Sequence, residues 1–192
     1  MNGQTPRYTG AAIALHWVLA IALVAIGAFG VYMHGLPLSP WKLRVFAWHK
    51  WAGVTAFLLV IVRLGWRLTH RPPALPAAMS PATRFLAHLG HTLIYVLMFA
   101  IPLSGWLMSS AKGFQTVYFG LVPLPDLLPH DRALGNALLQ VHQALNITLA
   151  VLVAGHAAVA LRHHFIDRDD VLLRMLPHRR AAHPPATLET RP

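Results

Sequence analysis

The chain has 192 residues, of which 56% are hydrophobic and only 11% charged, against about a quarter charged in an ordinary soluble domain. It carries 13 histidines, no cysteine, and 16 Lys and Arg against 6 Asp and Glu. These figures exclude a disordered protein, a disulfide scaffold, a thiol redox enzyme, a zinc ribbon and a Cys-ligated iron–sulfur protein. The net charge of +10 does not point to nucleic acid, because the apolar residues arrive in blocks long enough to cross a bilayer.

Four such blocks follow one another along the chain. The first runs over residues 11–33 (AAIALHWVLAIALVAIGAFGVYM), which is too long for a signal-peptide core and lacks a small-x-small cleavage site, so it belongs to the mature protein. A short Pro-bearing connection, residues 34–44, leads to the second block at 45–68. That block is the most polar, with His49, Lys50, Arg63 and Arg67 towards its ends. Residues 69–84 are too Pro-rich to be helical throughout. The third block spans 85–108 and the fourth 137–161. Between them lies the longest connection, residues 109–136, whose stretch Phe114 to Leu128 is expected to lie at the membrane surface as a lid. After the fourth block, DRDDVLLRMLPHRR reads as a short surface helix with acidic residues at its start and basic ones at its end.

The expected fold is therefore all-α, an integral membrane four-helix bundle formed by residues 1–180, followed by a disordered tail at 181–192. With four spans both termini share a side with the middle connection. That side holds Arg7, Arg63, Arg67, Arg71, Arg84 and the six arginines from Arg162 onward, against Lys42, Arg44, Lys50, Lys112 and Arg132 on the other. The positive-inside bias places both termini in the cytoplasm. Trp41, Trp48 and Trp51 then mark the outer interface and Trp66 the inner one.

Ionisable side chains at membrane depth are costly and mark functional sites. His142 and His156 are 14 residues apart, about 21 Å along a helix and nearly four full turns, so they share a face near opposite surfaces. His49 matches His142 in depth, and His16 matches His156. The chemistry of paired neutral imidazoles on facing helices suits haem b, clamped axially between them. Arg63 follows His49 by the same 14 residues and is placed to meet a haem propionate at inner depth. Gly53 and Gly155 remove side-chain bulk where a flat ring approaches. His88 and His91 compete with His16 for the inner ligand role, and spacing does not decide between them. His163 and His164, at the inner end of the fourth span, are candidates to face a quinone headgroup or to mark the boundary.

The segments ALHWVLA, HKWAGVTAFLLVIVRLGWR, LAHLGHTLIYVLMFAIPLSGWLM and VHQALNITLAVLVAGHAAVALRHHF, with the ending DDVLLRMLP, resemble the bacterial cytochrome b561 family over about residues 8–180. Within it, LAHLGH and LLRMLP look most like the superoxide oxidase members. The resemblance implies a four-helix inner-membrane cytochrome with two b-type haems that exchanges electrons with ubiquinone. It implies axial ligands at His16, His49, His142 and His156, and moves His88 and His91 to the surroundings of a haem or quinone.

The expected activity is transfer of electrons from superoxide at the periplasmic face to ubiquinone, a superoxide:ubiquinone oxidoreductase. Lys42, Arg44 and Lys50 cluster beside His49 and are candidates to steer the anion. His163 is the candidate quinone contact. The alternative is a cytochrome b subunit that relays electrons between a dehydrogenase partner and the quinone pool. A proton channel or transporter is disfavoured, because the spans contain neither carboxylates nor broken helices.

Overall fold

The computed structural model describes residues 7–76 and 79–177. Four long helices dominate it: α1 (Gly10–His34), α2 (Pro40–Thr69), α3 (Pro81–Ala111) and α4 (Arg132–Arg162). All four are long and apolar enough to cross a membrane. The expected spans fall inside them, but the helices begin earlier, α2 at 40 instead of 45 and α4 at 132 instead of 137. The reason is local chemistry that hydropathy does not register. Thr9, Ser39, Ser80 and Asp131 each cap a helix by accepting from the backbone N–H three residues on. Pro40 and Pro81 occupy first-turn positions, where the missing N–H costs nothing.

The helices bury little and expose much that is apolar. Ile21, Val24 and Val31 on α1, Val96 on α3, and Ile147 and Val151 on α4 all point outward. In water such faces would be a large unpaired apolar surface; in a bilayer they meet lipid. The centre is a small cluster of Leu19, Val60 and Met98, packed about by Leu23, Leu59, Ile94, Tyr95 and Phe99. Pro102 lies inside α3 without ending it, as membrane helices allow where other groups take up the freed carbonyls.

Both turns between paired helices lie at one end of the bundle, here called the loop end. The bundle is helical as expected, but the α3–α4 connection is not purely irregular. Val117–Tyr118 (β1) and Val122–Pro123 (β2) form a two-stranded antiparallel hairpin. Phe119 and Gly120 both have positive φ, the backbone twist that suits a tight hairpin turn. The hairpin is fastened to α2. Lys50 Nζ donates to the carbonyls of Phe114 and Gln115, both at 3.1 Å, and Trp51 Nε1 donates to the Val117 carbonyl at 2.6 Å. The Thr55 and Tyr118 hydroxyls share a hydrogen bond of 2.8 Å. Trp106 Nε1 ties the next stretch through the Pro125 carbonyl.

At the opposite, terminal end, the described part of the expected surface helix after α4, to residue 177, is not a continuous helix. α4 runs into a π-turn at His163–Asp167, Arg168 adopts φ 52°, and only a 3-10 turn at Leu173–Met175 follows. The carbonyls a helix would use are taken from outside. Trp17 Nε1 donates to the Met175 carbonyl at 2.8 Å, and Arg7 donates to those of Leu173 and Leu176. Arg174 reaches the Ala74 carbonyl at 2.7 Å while pairing with Asp170 at 2.8 Å. Segment 163–177 is thus a strap that joins α4 to α1 and to the α2–α3 connection. The expected tail at 181–192 lies outside the described residues, as do His178 and Arg179.

Candidate functional site

The helices bring the intramembrane polar groups together on two levels, one near each end. Every helix contributes one residue to each level, and the interval is 14 residues in all four: His16 and Gly30 on α1, Arg63 and His49 on α2, His91 and Gly105 on α3, His156 and His142 on α4. Fourteen residues are close to four helical turns, so each helix presents both members towards the same side. Leu19, Val60 and Met98 fill the layer between the levels.

The terminal level holds three imidazoles and a guanidinium. The ring centres of His16 and His156 are 6.3 Å apart, and those of His91 and His156 are 5.2 Å apart. Arg63 Nη2 donates to His16 Nδ1 at 3.1 Å, and Arg63 Nε donates to the Tyr95 hydroxyl at 3.0 Å. Arg67 adds a second guanidinium over the Tyr95 ring, 5.6 Å from its centre. Arg63 therefore stands at the terminal level beside His16. The third donor nitrogen of its fork, Nη1, is buried with no partner. His88, by contrast, is exposed.

The loop level holds two imidazoles, each resting on a glycine of the neighbouring helix. A Cβ placed on Gly30 would sit 3.3 Å from His49 Cε1, and one on Gly105 would sit 3.2 Å from His142 Cε1. His142 is oriented by α3: its Nδ1 lies 3.1 Å from the Ile101 carbonyl and 2.9 Å from Ser104 Oγ. A carbonyl only accepts, so Nδ1 carries the proton and Nε2 keeps its lone pair. His49 is stacked beside Phe29, and its buried Nδ1 has no partner.

The remaining sequence candidates lie at the two ends. Lys42 Nζ donates to the Leu36 carbonyl, fastening the α1–α2 turn, and Lys50 Nζ holds the hairpin. Arg44 is exposed. His163 Nδ1 is paired with Asp169 at 2.6 Å, with Asp167 at 3.4 Å. Gly53 and Gly155 border open space, whereas the glycines that meet histidine rings are Gly30 and Gly105. Sequence reasoning missed those two, as well as Ser104 and Tyr95. The 14-residue interval was the available signal for the glycines, since Gly30 follows His16 and Gly105 follows His91 by the same step as His156 follows His142.

Four membrane-length helices carrying facing imidazoles at two depths make up the architecture of a membrane cytochrome. The family model described as prokaryotic cytochrome b561 matches residues 7–178, nearly the whole described chain. The chain belongs to this family and is a membrane electron-transfer protein of the haem b type. It is similar to cytochrome b561 homolog 2 of Escherichia coli (strain K12), 36% identical over 175 residues that cover 90% of this chain and 93% of the relative. A protein named probable superoxide oxidase CybB, from Yersinia pestis, is 30% identical over 91% of this chain and 98% of its own. Cytochrome b561 homolog 1 of Escherichia coli (strain K12) is 28% identical over 91% and 99%.

The residues present fit the haem that the family implies. An imidazole nitrogen binds a metal at about 2 Å, so two rings on opposite sides of one ion have centres about 6 Å apart. The 6.3 Å between His16 and His156 meets that figure. Among the described residues no three His, Cys, Asp or Glu side chains are disposed to hold a bare metal ion. Within the four helices two buried nitrogens lack a partner among the described residues, His49 Nδ1 and Arg63 Nη1, one on each level. Buried donors of this kind are costly unless a partner group completes them.

Proposed function

We propose that this chain is a di-haem b oxidoreductase that carries electrons from periplasmic superoxide to ubiquinone. It sits in the bacterial inner membrane with both termini in the cytoplasm. The observation that carries the reading is the pair of imidazole sets, one at each end of a single bundle, with an apolar layer between them. The distribution of Lys and Arg supports the loop end as periplasmic. Likeness to a relative named as a probable superoxide oxidase supports the substrate.

His49 and His142 would hold the periplasmic haem, and His16 and His156 the cytoplasmic one. A b-type haem supplies a one-electron Fe(III)/Fe(II) couple, and histidine on both faces confines it to outer-sphere exchange. Arg63 has a distinct task. A histidine that ligates through Nε2 carries its proton on Nδ1, and arginine has no acceptor to offer it. With a haem held by His16, Arg63 Nη2 and the unpartnered Nη1 would together offer a two-pronged donor that matches a propionate carboxylate. Tyr95 keeps the guanidinium in place through Nε.

At the periplasmic face Lys42, Arg44 and Lys50 attract the anion. Arg44 does so from an exposed position, while the charges of Lys42 and Lys50 are fixed against loop carbonyls. Two superoxide anions each give up one electron and leave as dioxygen; one ubiquinone takes up two electrons and two protons and leaves as ubiquinol. His163 contacts the quinone on this reading. Asp169 accepts from its Nδ1, which leaves the Nε2 lone pair to accept from a quinol hydroxyl.

One observation favours a second reading, a cytochrome b subunit that relays electrons from a dehydrogenase partner to the quinone pool. The hairpin tip exposes Phe119, Leu121 and Val122, with Leu121 82% exposed, and forms an apolar knob suited to docking. Purified protein separates the readings. Haem quantification with reduced-minus-oxidised spectra should give two b-type haems per chain, and a superoxide source should drive ubiquinone reduction by the protein alone. Absence of b-type haem would sink both readings; full haem without superoxide-driven quinone reduction would favour the relay.

A further inference from the structure

The two levels differ in what surrounds their histidines, and the difference bears on which way an electron runs between them. At the loop level the polar neighbours of His142 are acceptors. The Ile101 carbonyl and Ser104 Oγ both lie within hydrogen-bond distance of its Nδ1, and the Ser104 hydroxyl donates in turn to the same carbonyl at 2.8 Å. That last bond turns a lone pair of Oγ towards the imidazole N–H. Ser104 is 5% exposed, so the arrangement is shielded from water. Acceptors at the far nitrogen make an imidazole a more basic ligand, which favours the more highly charged metal.

At the terminal level the polar neighbour of His16 is a cation. Arg63 stands 3.1 Å from its Nδ1 and offers no acceptor, and Arg67 stands close behind across Tyr95. Among the described residues no side-chain carboxylate lies within α1 to α4, so the negative group these cations would meet is the propionate assigned to Arg63, whose charge they would offset. A cation beside a metal disfavours its more oxidised state by direct Coulomb repulsion, and the effect is large where water is excluded. Lys50 is the nearest cation to His49 in sequence. Its ammonium is drawn out to the hairpin carbonyls at the bundle end, within electrostatic range of Asp126.

We propose that Ser104 and Arg63 are positioning residues that set the reduction potentials of the two levels apart, the loop level lower and the terminal level higher. An electron then moves downhill from the loop end to the terminal end, the loop-level iron being oxidised by one electron and the terminal-level iron reduced by one. This rests on the di-haem reading above and names the residues that supply the driving force for its direction.

The test is a spectroelectrochemical titration of the purified, haem-loaded protein, with the haem-to-chain ratio measured on the same sample. Two one-electron steps are expected. Ser104→Ala should raise the lower midpoint and leave the upper one in place, and Ser104→Thr, which keeps the hydroxyl, should restore it. Arg63→Gln should lower the upper midpoint alone. Where Arg63→Gln costs the protein one haem, the step that survives should be the lower one, and Ser104→Ala should still move it. Survival of the upper step, movement of the upper midpoint by Ser104→Ala, or no movement by either variant would overturn the proposal. A ratio below two haems in the unmutated protein would instead refute the di-haem reading, so the two failures are told apart.

Discussion

Gly105 offers a direct test of the loop-level site, because its missing side chain is where the His142 ring lies. A Cβ at this position would stand 3.2 Å from His142 Cε1 and 3.4 Å from Nδ1. For Gly105→Ala the ring must retreat by a few tenths of an ångström, and the gain in helix propensity of about 0.5–1 kcal/mol offsets much of the cost. Gly105→Val adds two further carbons, and the ring has to turn. Turning breaks the Nδ1 hydrogen bond to the Ile101 carbonyl, about 1 kcal/mol. Holding the imidazole off its preferred rotamer costs about 1 kcal/mol more. A combined loss of about 2 kcal/mol is roughly a 30-fold weaker hold on the loop-level haem. The assay is transfer of haem from detergent-solubilised protein to a haem-scavenging acceptor, followed by absorbance. Unmutated protein should release its two haems slowly, and Gly105→Val should release one of them roughly 30-fold more readily by the same arithmetic. Gly65→Val on α2, where a Cβ meets nothing within 4 Å, should leave retention unchanged. Wild-type retention in Gly105→Val would refute the placement of a haem ligand at His142.

Three more outcomes follow from the same geometry. His16→Ala and His156→Ala should each retain one haem and His91→Ala two; loss of a haem in His91→Ala with retention of both in His16→Ala would transfer the ligand role to α3. Lys50→Met removes the bonds to the Phe114 and Gln115 carbonyls, which at this partly exposed site are together worth about 1–2 kcal/mol. Amide exchange across residues 114–124 should quicken about tenfold, and unchanged exchange would show that Trp51 and Thr55 suffice to hold the hairpin. Arg44→Glu should slow superoxide-driven quinone reduction by up to about tenfold at low salt, with the difference closing as salt shortens the screening length. A salt-independent loss would point to damage in the fold rather than to lost steering.

Much of the architecture was legible because a bilayer makes unusual demands on sequence. A span must be apolar for about 20 residues, so α1 to α4 announce themselves. An imidazole in such a span is conspicuous, so the members of both levels that carry polar groups could be named. Counting residues along a helix put Arg63 at the depth of His16, and the fold brings the two into contact although 47 residues separate them in the chain. The expected helix after α4 shows where local reasoning stops. Its acidic start and basic end suit a helix, but Trp17 and Arg7, more than 150 residues earlier, take the carbonyls of Leu173, Met175 and Leu176. The hairpin escaped for a similar reason: its two-residue strands are too short for any periodicity, and Lys50 and Trp51 of α2 hold them.

Four spans, two depths and most of the charged or ring-nitrogen residues at each depth can be read from the chain alone. Those properties depend on composition and on the fixed rise of a helix, and neither needs a neighbour. What each of those groups touches comes from the packing of the helices: His142 against acceptors, His16 against a cation, His49 and His142 each on a glycine. Glycine has no side chain to advertise a role, and Ser104 looks like any small residue in an apolar run. Their importance arises from close approach between helices, a distance that no pattern along one strand of sequence records.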